Sequence, residues 1–132
     1  MLVEEVMTPR EKLVVVNPMA PVREALNLMK RYKVKAVIVD KNGEHGAYGL
    51  VTFKNVLQSI VAEDGDIDLL NVYDIMNSPA VSVSRKLDMK YAARMMVQNS
   101  IKRLLVVDDN ELRGILTMTD IIGVVLEEMD AS

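Results

Sequence analysis

Two kinds of hydrophobic spacing alternate along the chain. Val22, Ala25, Leu26 and Met29 fall at i, i+3, i+4 and i+7, with Pro21 just ahead of them, which predicts a helix with one buried face. The unbroken aliphatic run Ala36-Val37-Ile38-Val39, ended by Asp40, predicts a buried strand. Lys41-Asn42-Gly43 signals a turn, and Gly49-Leu50-Val51-Thr52 a second strand that completes a hairpin. Helical spacing then returns in Val56, Leu57, Ile60 and Val61. Upstream, Leu2, Val3, Val6 and Met7 form a short helical period stopped by Thr8-Pro9, and Leu13-Val14-Val15-Val16 reads as a first strand ended by Asn17-Pro18.

The whole series then recurs. Val72, Ile75 and Met76 repeat the short helix, and Ala80-Val81-Ser82-Val83 the first strand. Met89, Ala92, Ala93 and Met96 repeat the stripe 67 positions on, placing the small residue and the Met identically, which unrelated helices have no reason to do. Leu104-Leu105-Val106-Val107-Asp108, the turn Asp109-Asn110, and Gly114-Ile115-Leu116-Thr117 complete a second hairpin. Between the aspartate and the following motif glycine lie eight residues in the first copy and five in the second, so Glu44-His45-Gly46 is expected to be a surface loop. The predicted repeats span 1–66 and 67–132, with Glu63-Asp64-Gly65-Asp66-Ile67-Asp68 an acidic linker and residues 129–132 a fraying tail. Each copy is too short to be comfortable alone, so the two are expected to pack as one module.

The second hairpin runs through Thr117-Met118-Thr119-Asp120 into a helix, and the first through Thr52-Phe53-Lys54-Asn55, 65 positions earlier. Two readings of these residues stay open. Thr and the acid three residues on can cap the free N–H groups of a helix start. The same place is a ready site for a sugar phosphate, and a carboxylate there can accept hydrogen bonds from both hydroxyls of a ribose.

A tandem pattern of Gly, two aliphatics, Thr, two variable residues and Asp opening a helix resembles the cystathionine-β-synthase (CBS) domain family, over nearly the whole chain. The resemblance implies an α+β fold, a tandem CBS pair of two pseudo-symmetric repeats, each a small sheet packed by two helices. CBS pairs that bind adenosine nucleotides suggest the roles. Arg103 and Lys102 would reach phosphate, Asp120 with Thr117 and Thr119 would hold ribose and phosphate, Ala80 and Val81 would lie beside the base, and Met118 lies within the motif. A weaker site in the first copy would comprise Thr52, Asn55, Lys54, Lys35 and Val14. Asn55 stands there for Asp, one amide oxygen in place of two carboxylate oxygens. Alignment from the helix pairs Lys35 with Lys102 and Ala36 with Arg103, losing the arginine; alignment from the strand pairs Val34 and Lys35 instead.

Composition narrows the function. The 132 residues are half apolar with net charge −3 and pI about 5.2, against the basic face of a nucleic-acid binder. With no cysteine, one histidine (His45, in a glycine-flanked loop) and no nucleophile beside a base, neither metal binding nor catalysis is expected. The expectation is a cytoplasmic regulatory sensor with no obligatory cofactor and no membrane segment. Its ligand would be AMP, ADP, ATP or S-adenosylmethionine, its occupancy relayed to an effector protein of unspecified identity or to a second copy. The alternative is a ligand-free dimerisation scaffold. Paired aliphatics, Val56 with Leu57 and Ile121 with Ile122, predict a homodimer through the two motif helices. Of the ten methionines, Met29, Met89 and Met96 lie on core stripes and are read as gap fillers.

Overall fold

The computed structural model describes residues 1–131. In chain order the elements are α1 (Val3–Val6), β1 (Thr8–Pro9), β2 (Val15–Val16), α2 (Val22–Tyr32), β3 (Ala36–Val39), β4 (Gly49–Thr52), α3 (Phe53–Val56), α4 (Val72–Ile75), β5 (Ser82–Val83), α5 (Met89–Asn99), β6 (Arg103–Asp108), β7 (Glu111–Thr117) and α6 (Met118–Ala131). A 3-10 turn, Arg10–Lys12, precedes β2, and α3 continues as a π-helix over Leu57–Ala62.

The packing units are offset from the sequence repeats. One compact unit joins Met1–Leu13 to the stretch from Val81 onward; the other is continuous from Val14 to Ala80. The predicted boundaries at 1–66 and 67–132 count repeats of pattern, whereas each short helix packs with the copy it does not precede. In the split unit Val3 N–H donates to Leu87 O at 2.8 Å, and Met89 N–H to Met1 O at 2.9 Å. In the continuous unit the matching bonds run from Val72 N–H to Ala20 O at 2.8 Å, and from Val22 N–H to Leu70 O at 2.9 Å. Val3 and Val72 are both fully buried.

The split unit carries a sheet in the order β1-β7-β6-β5, and the continuous unit one in the order β2-β3-β4. In each, the first strand joins the hairpin in parallel and the hairpin is antiparallel. The first strands are shorter than predicted, two residues each. Val14 and Val81 contribute only a carbonyl, to Ile38 N–H and Leu105 N–H, both at 3.0 Å. One core comprises Val16, Ala25, Met29, Val37, Val39, Val51 and Val72, among others. At the equivalent positions the other has Val83, Ala92, Met96, Leu104, Val106, Leu116 and Val3. Met29 and Met96 are buried as the stripe predicts; Met89 is half-buried.

The motif glycines admit the exchanged segments. A Cβ on Gly114 would stand 2.5 Å from Thr8 O and 2.8 Å from Met7 Sδ; one on Gly49 would stand 2.7 Å from Met76 Sδ and 3.0 Å from Asn77 O. β1 lies along β7 with Thr8 opposite Ile115 and Pro9 opposite Gly114, while Asn77 bridges Leu50 in the continuous unit. The tail departs from expectation: α6 runs through Ala131 rather than fraying from Met129. Of the predicted tail, Ser132 lies outside the described residues.

Candidate functional site

Both motif turns form the cap their spacing allows. At the end of β7, Thr117 N–H donates to Asp120 Oδ2 at 2.9 Å, and Asp120 N–H donates to Thr117 Oγ1 at 3.1 Å. This reciprocal pair satisfies two orphan donors of α6 and holds the carboxylate at the turn. At the end of β4, Thr52 N–H donates to Asn55 Oδ1 at 2.8 Å, the Thr52 hydroxyl donates to the same oxygen at 3.0 Å, and Asn55 N–H approaches Thr52 Oγ1 at 3.5 Å. Because a backbone N–H must meet an acceptor, the Asn55 oxygen faces the turn and its NH2 faces away.

These caps leave different capacity for a ligand. Among the described residues, Asp120 Oδ1 and the Thr117 hydroxyl hydrogen have no partner, whereas the Thr52 hydroxyl and the Asn55 oxygen are committed to each other. Asp120 is half-buried, able to accept a bond from an incoming hydroxyl.

The hairpin brings the basic dipeptide to the same turn. Arg103 is the register partner of Thr117, and Met118 N–H donates to Lys102 O at 3.0 Å. Lys102 is exposed and Arg103 half-buried; among the described residues neither forms an ion pair. Arg103, with Lys102 beside it, thus borders the start of α6 together with the carboxylate oxygen and the hydroxyl, and the dipole of that helix favours an anion. Met118 and Thr119 are exposed on its first turn. Val81 is exposed, and its carbonyl binds Leu105, two residues along β6 from Arg103. Ala80, expected beside it, belongs to the continuous unit, where its N–H donates to Tyr48 O.

Register settles which first-copy residues correspond. Ala36 pairs with Thr52 as Arg103 pairs with Thr117, and Phe53 N–H donates to Lys35 O as Met118 N–H does to Lys102 O. Alignment from the helix is therefore the right one. Lys35 stands for Lys102, and the arginine is replaced by Ala36. Lys35 and Lys54 are exposed, and Val14 occupies the place of Val81.

Asp108 acquires a role that pattern did not reveal. It accepts from Ser84 Oγ at 2.7 Å and Arg85 N–H at 3.1 Å, with Arg85 Nε at 3.9 Å. Burial, the largest single influence, pushes its carboxyl up, but the Ser84 and Arg85 hydrogen bonds and the Arg85 and Arg113 charges outweigh it and hold it below the usual range. Counting along the chain from the register equivalents Ala36 and Arg103, the place of Asp108 falls to Lys41, beyond the end of β3 and one residue past Asp40, so the two aspartates that looked paired in sequence are not equivalent. Arg85 and Lys86 also approach Glu4, at 3.8 and 2.9 Å, clasping α1 to the split unit. Among the described residues no cluster of three metal-ligating side chains occurs, and no helix is long and apolar enough to cross a membrane.

Comparison with known proteins agrees with this geometry. An uncharacterized protein of Methanopyrus kandleri is 28% identical over 87% of this chain and 59% of its own length, so this chain spans little more than half of that relative. The structure of CBSX2 in complex with AMP superposes with a TM-score of 0.82 at 27% identity, covering 96% of this chain and 97% of the other. A hexameric CBS-CP12 protein from bloom-forming cyanobacteria superposes with a TM-score of 0.82 at 33% identity, covering 92% of this chain and 69% of the other. The CBS domain model matches residues 3–62 and again 72–127, and the chain belongs to the CBS domain family as a tandem pair.

Proposed function

We propose that the chain is a regulatory, non-catalytic module that binds an adenosine-containing ligand at the turn between β7 and α6 and relays its occupancy to an effector or a second copy. The observation that carries this reading is the unspent bonding at that turn: Asp120 Oδ1, the Thr117 hydroxyl, and Arg103 and Lys102, which form no ion pair among the described residues, suit a ribose and its phosphate. The relative bound to AMP supports the adenosine nucleotide as the class. S-adenosylmethionine shares the ribose that Asp120 would hold, but its sulfonium would face the cations. Titration with AMP, ATP and S-adenosylmethionine while following thermal unfolding tests this. A ligand that binds only the folded state raises the midpoint with concentration, by about 2.7 kcal/mol of stability at one hundred times Kd. A midpoint flat for all three counts against the reading.

The scaffold alternative also has an observation in its favour. Along α6, Ile122, Val125, Leu126 and Met129 are 51%, 44%, 55% and 66% exposed, and Phe53, Leu57 and Val61 on the first motif helix are 54%, 61% and 63% exposed. Such a stripe belongs against another surface, and the proposed one is a homodimer through these helices, with the cyanobacterial relative showing that a CBS-containing chain can assemble further. Sedimentation at tens of micromolar, about the range where a useful interface holds, checks it: a monomer there removes the dimer.

A further inference from the structure

The two units solve one surface position in opposite ways. In the split unit, Glu4 N–H donates to Arg85 O, and the neighbouring Lys86 ammonium meets the Glu4 carboxylate at 2.9 Å. In the continuous unit, Tyr73 N–H donates to Pro18 O in the same geometry. Tyr73 stands in the place of Glu4, and Met19 in that of Lys86. Both are 54% exposed, and Leu69, four residues before Tyr73, is 81% exposed, the highest of the large hydrophobics described. The fold accepts a solvated ion pair here, so it does not require an apolar patch.

The patch also has a charge. Residues 63–74 hold five acids and no lysine or arginine; among the described residues Asp68 alone of the five forms an ion pair, with Arg23 at 2.6 Å, and Asp66 adds to the field on the same guanidinium. The patch lies at the start of α2, where Val22 N–H meets Leu70 O. The other end of α2, about 16 Å away for eleven residues, has the complementary character. Exposed Tyr32 sits there among Lys30, Arg31, Lys33 and Lys35, with no acid between Glu24 and Asp40. A favourable dipole accounts for cations at a helix C-terminus, but not for three large hydrophobic side chains in water at the opposite end.

We propose that the acidic-rimmed patch of Met19, Leu69 and Tyr73 docks the basic, Tyr32-bearing end of α2 from a second copy. Because donor and acceptor surfaces lie at opposite ends of one helix, the contact is head-to-tail. It is distinct from a two-fold pairing of motif helices, and it builds rings or open chains. The proposal stands apart from nucleotide binding and does not depend on it.

Two variants of the full chain test it by sedimentation without nucleotide. Met19→Lys with Tyr73→Glu grafts the ion pair that the split unit already carries at these positions, so folding should survive, with melting curves as the check. Lys30→Glu with Lys33→Glu reverses the other end. At about 50 mM salt, where screening is weak, the parent should form concentration-dependent species beyond any two-fold dimer, and each variant alone should associate about tenfold more weakly. Mixing the two should restore association, since each retains the surface that the other lacks with respect to its partner. A parent with no such species, variants that associate like the parent, or a mixture no larger than its components would overturn the proposal.

Discussion

The turn before α6 and the turn before α3 have the same spacing, the same threonine and the same cap, yet they leave opposite remainders. Asp120 satisfies the cap with one oxygen and keeps another; Asn55 spends its only oxygen twice, on the N–H and the hydroxyl of Thr52. Beside Asp120 stands Arg103, and beside Asn55 stands Ala36. A capping box and a ligand site are therefore compatible uses of one turn, and what separates them is whether any acceptor is left over. The fold of the turn is the same in both places; the leftover acceptor and the cation are present in one.

The largest expected effect breaks that contrast directly. Asp120→Ala should cost on the order of 1.5–3 kcal/mol of AMP binding, tenfold or more, because bonds to a charged acceptor are lost. Asn55→Ala should leave the affinity nearly unchanged. Both variants lose a cap, about 0.5–2 kcal/mol of folding stability, so calorimetric titration needs melting curves alongside. Equal losses of affinity would mean the two turns contribute alike and the assignment of Asp120 is wrong.

Next in size is a contrast in stability. Gly114→Ala drives a methyl into the Thr8 carbonyl, a backbone atom that cannot move without giving up the β1 pairing, and should cost about 1–3 kcal/mol. Gly49→Ala meets first the end of the flexible Met76 side chain and should cost less. Denaturant midpoints of the two variants, at constant m, rank them. Gly49→Ala proving the worse would show that Met76 is held as rigidly as backbone.

A gain-of-function change sharpens the same comparison. Asn55→Asp alone returns an acceptor, while Asn55→Asp with Ala36→Arg returns the cation too. If those two residues are what the first copy lacks, titration of the double variant should show two sites per chain where the parent shows one, with the single variant gaining roughly tenfold or less. An unchanged stoichiometry would place the missing element elsewhere in the continuous unit.

Much of this was legible before any coordinates. The stripe of Val22, Ala25 and Met29 and its echo in Met89, Ala92 and Met96 identified both helices, because helical period and residue size leave few alternatives. The pair Thr117 and Asp120 was legible as a cap, which the reciprocal hydrogen bonds show, but not for what the cap leaves over, since spacing cannot show which oxygens already have partners. The exchange of α1 and α4 between units was not legible: sequence records the order of the pattern, and the partner of an edge strand depends on long-range contact. Gly49 and Gly114 were visible as motif residues, but their reason, a neighbouring chain at the distance of a methyl, was not. Nor was the correspondence of Ala36 with Arg103, because the copies differ by one residue before their aspartates and only register shows where that residue enters.

The smallest effect concerns a difference confined to the split unit. Asp108, in the place that Lys41 takes in the continuous unit, is held below the usual carboxylate range because the hydrogen bonds from Ser84 and Arg85 and two nearby guanidinium groups outweigh the cost of burial. A carboxylate depressed on folding binds its proton more weakly in the native chain than in the unfolded one. Its stabilising contribution is therefore complete above the unfolded value, about 3.9, and is lost as pH falls through the lower folded value. Asp68, clasped by Arg23, shifts in the same direction but stands open to water, where screening leaves little of the effect; half-buried Asp88, at the start of α5, also shifts down, through its bond from Lys90 N–H. Asp108→Asn should accordingly lower stability at neutral pH and flatten its decline between about pH 5 and pH 2. Urea unfolding of the parent and the variant across that range measures both slopes. If the two decline in parallel, the acid sensitivity of the split unit lies in other carboxylates, and the clasp of Ser84 and Arg85 on Asp108 contributes only geometry.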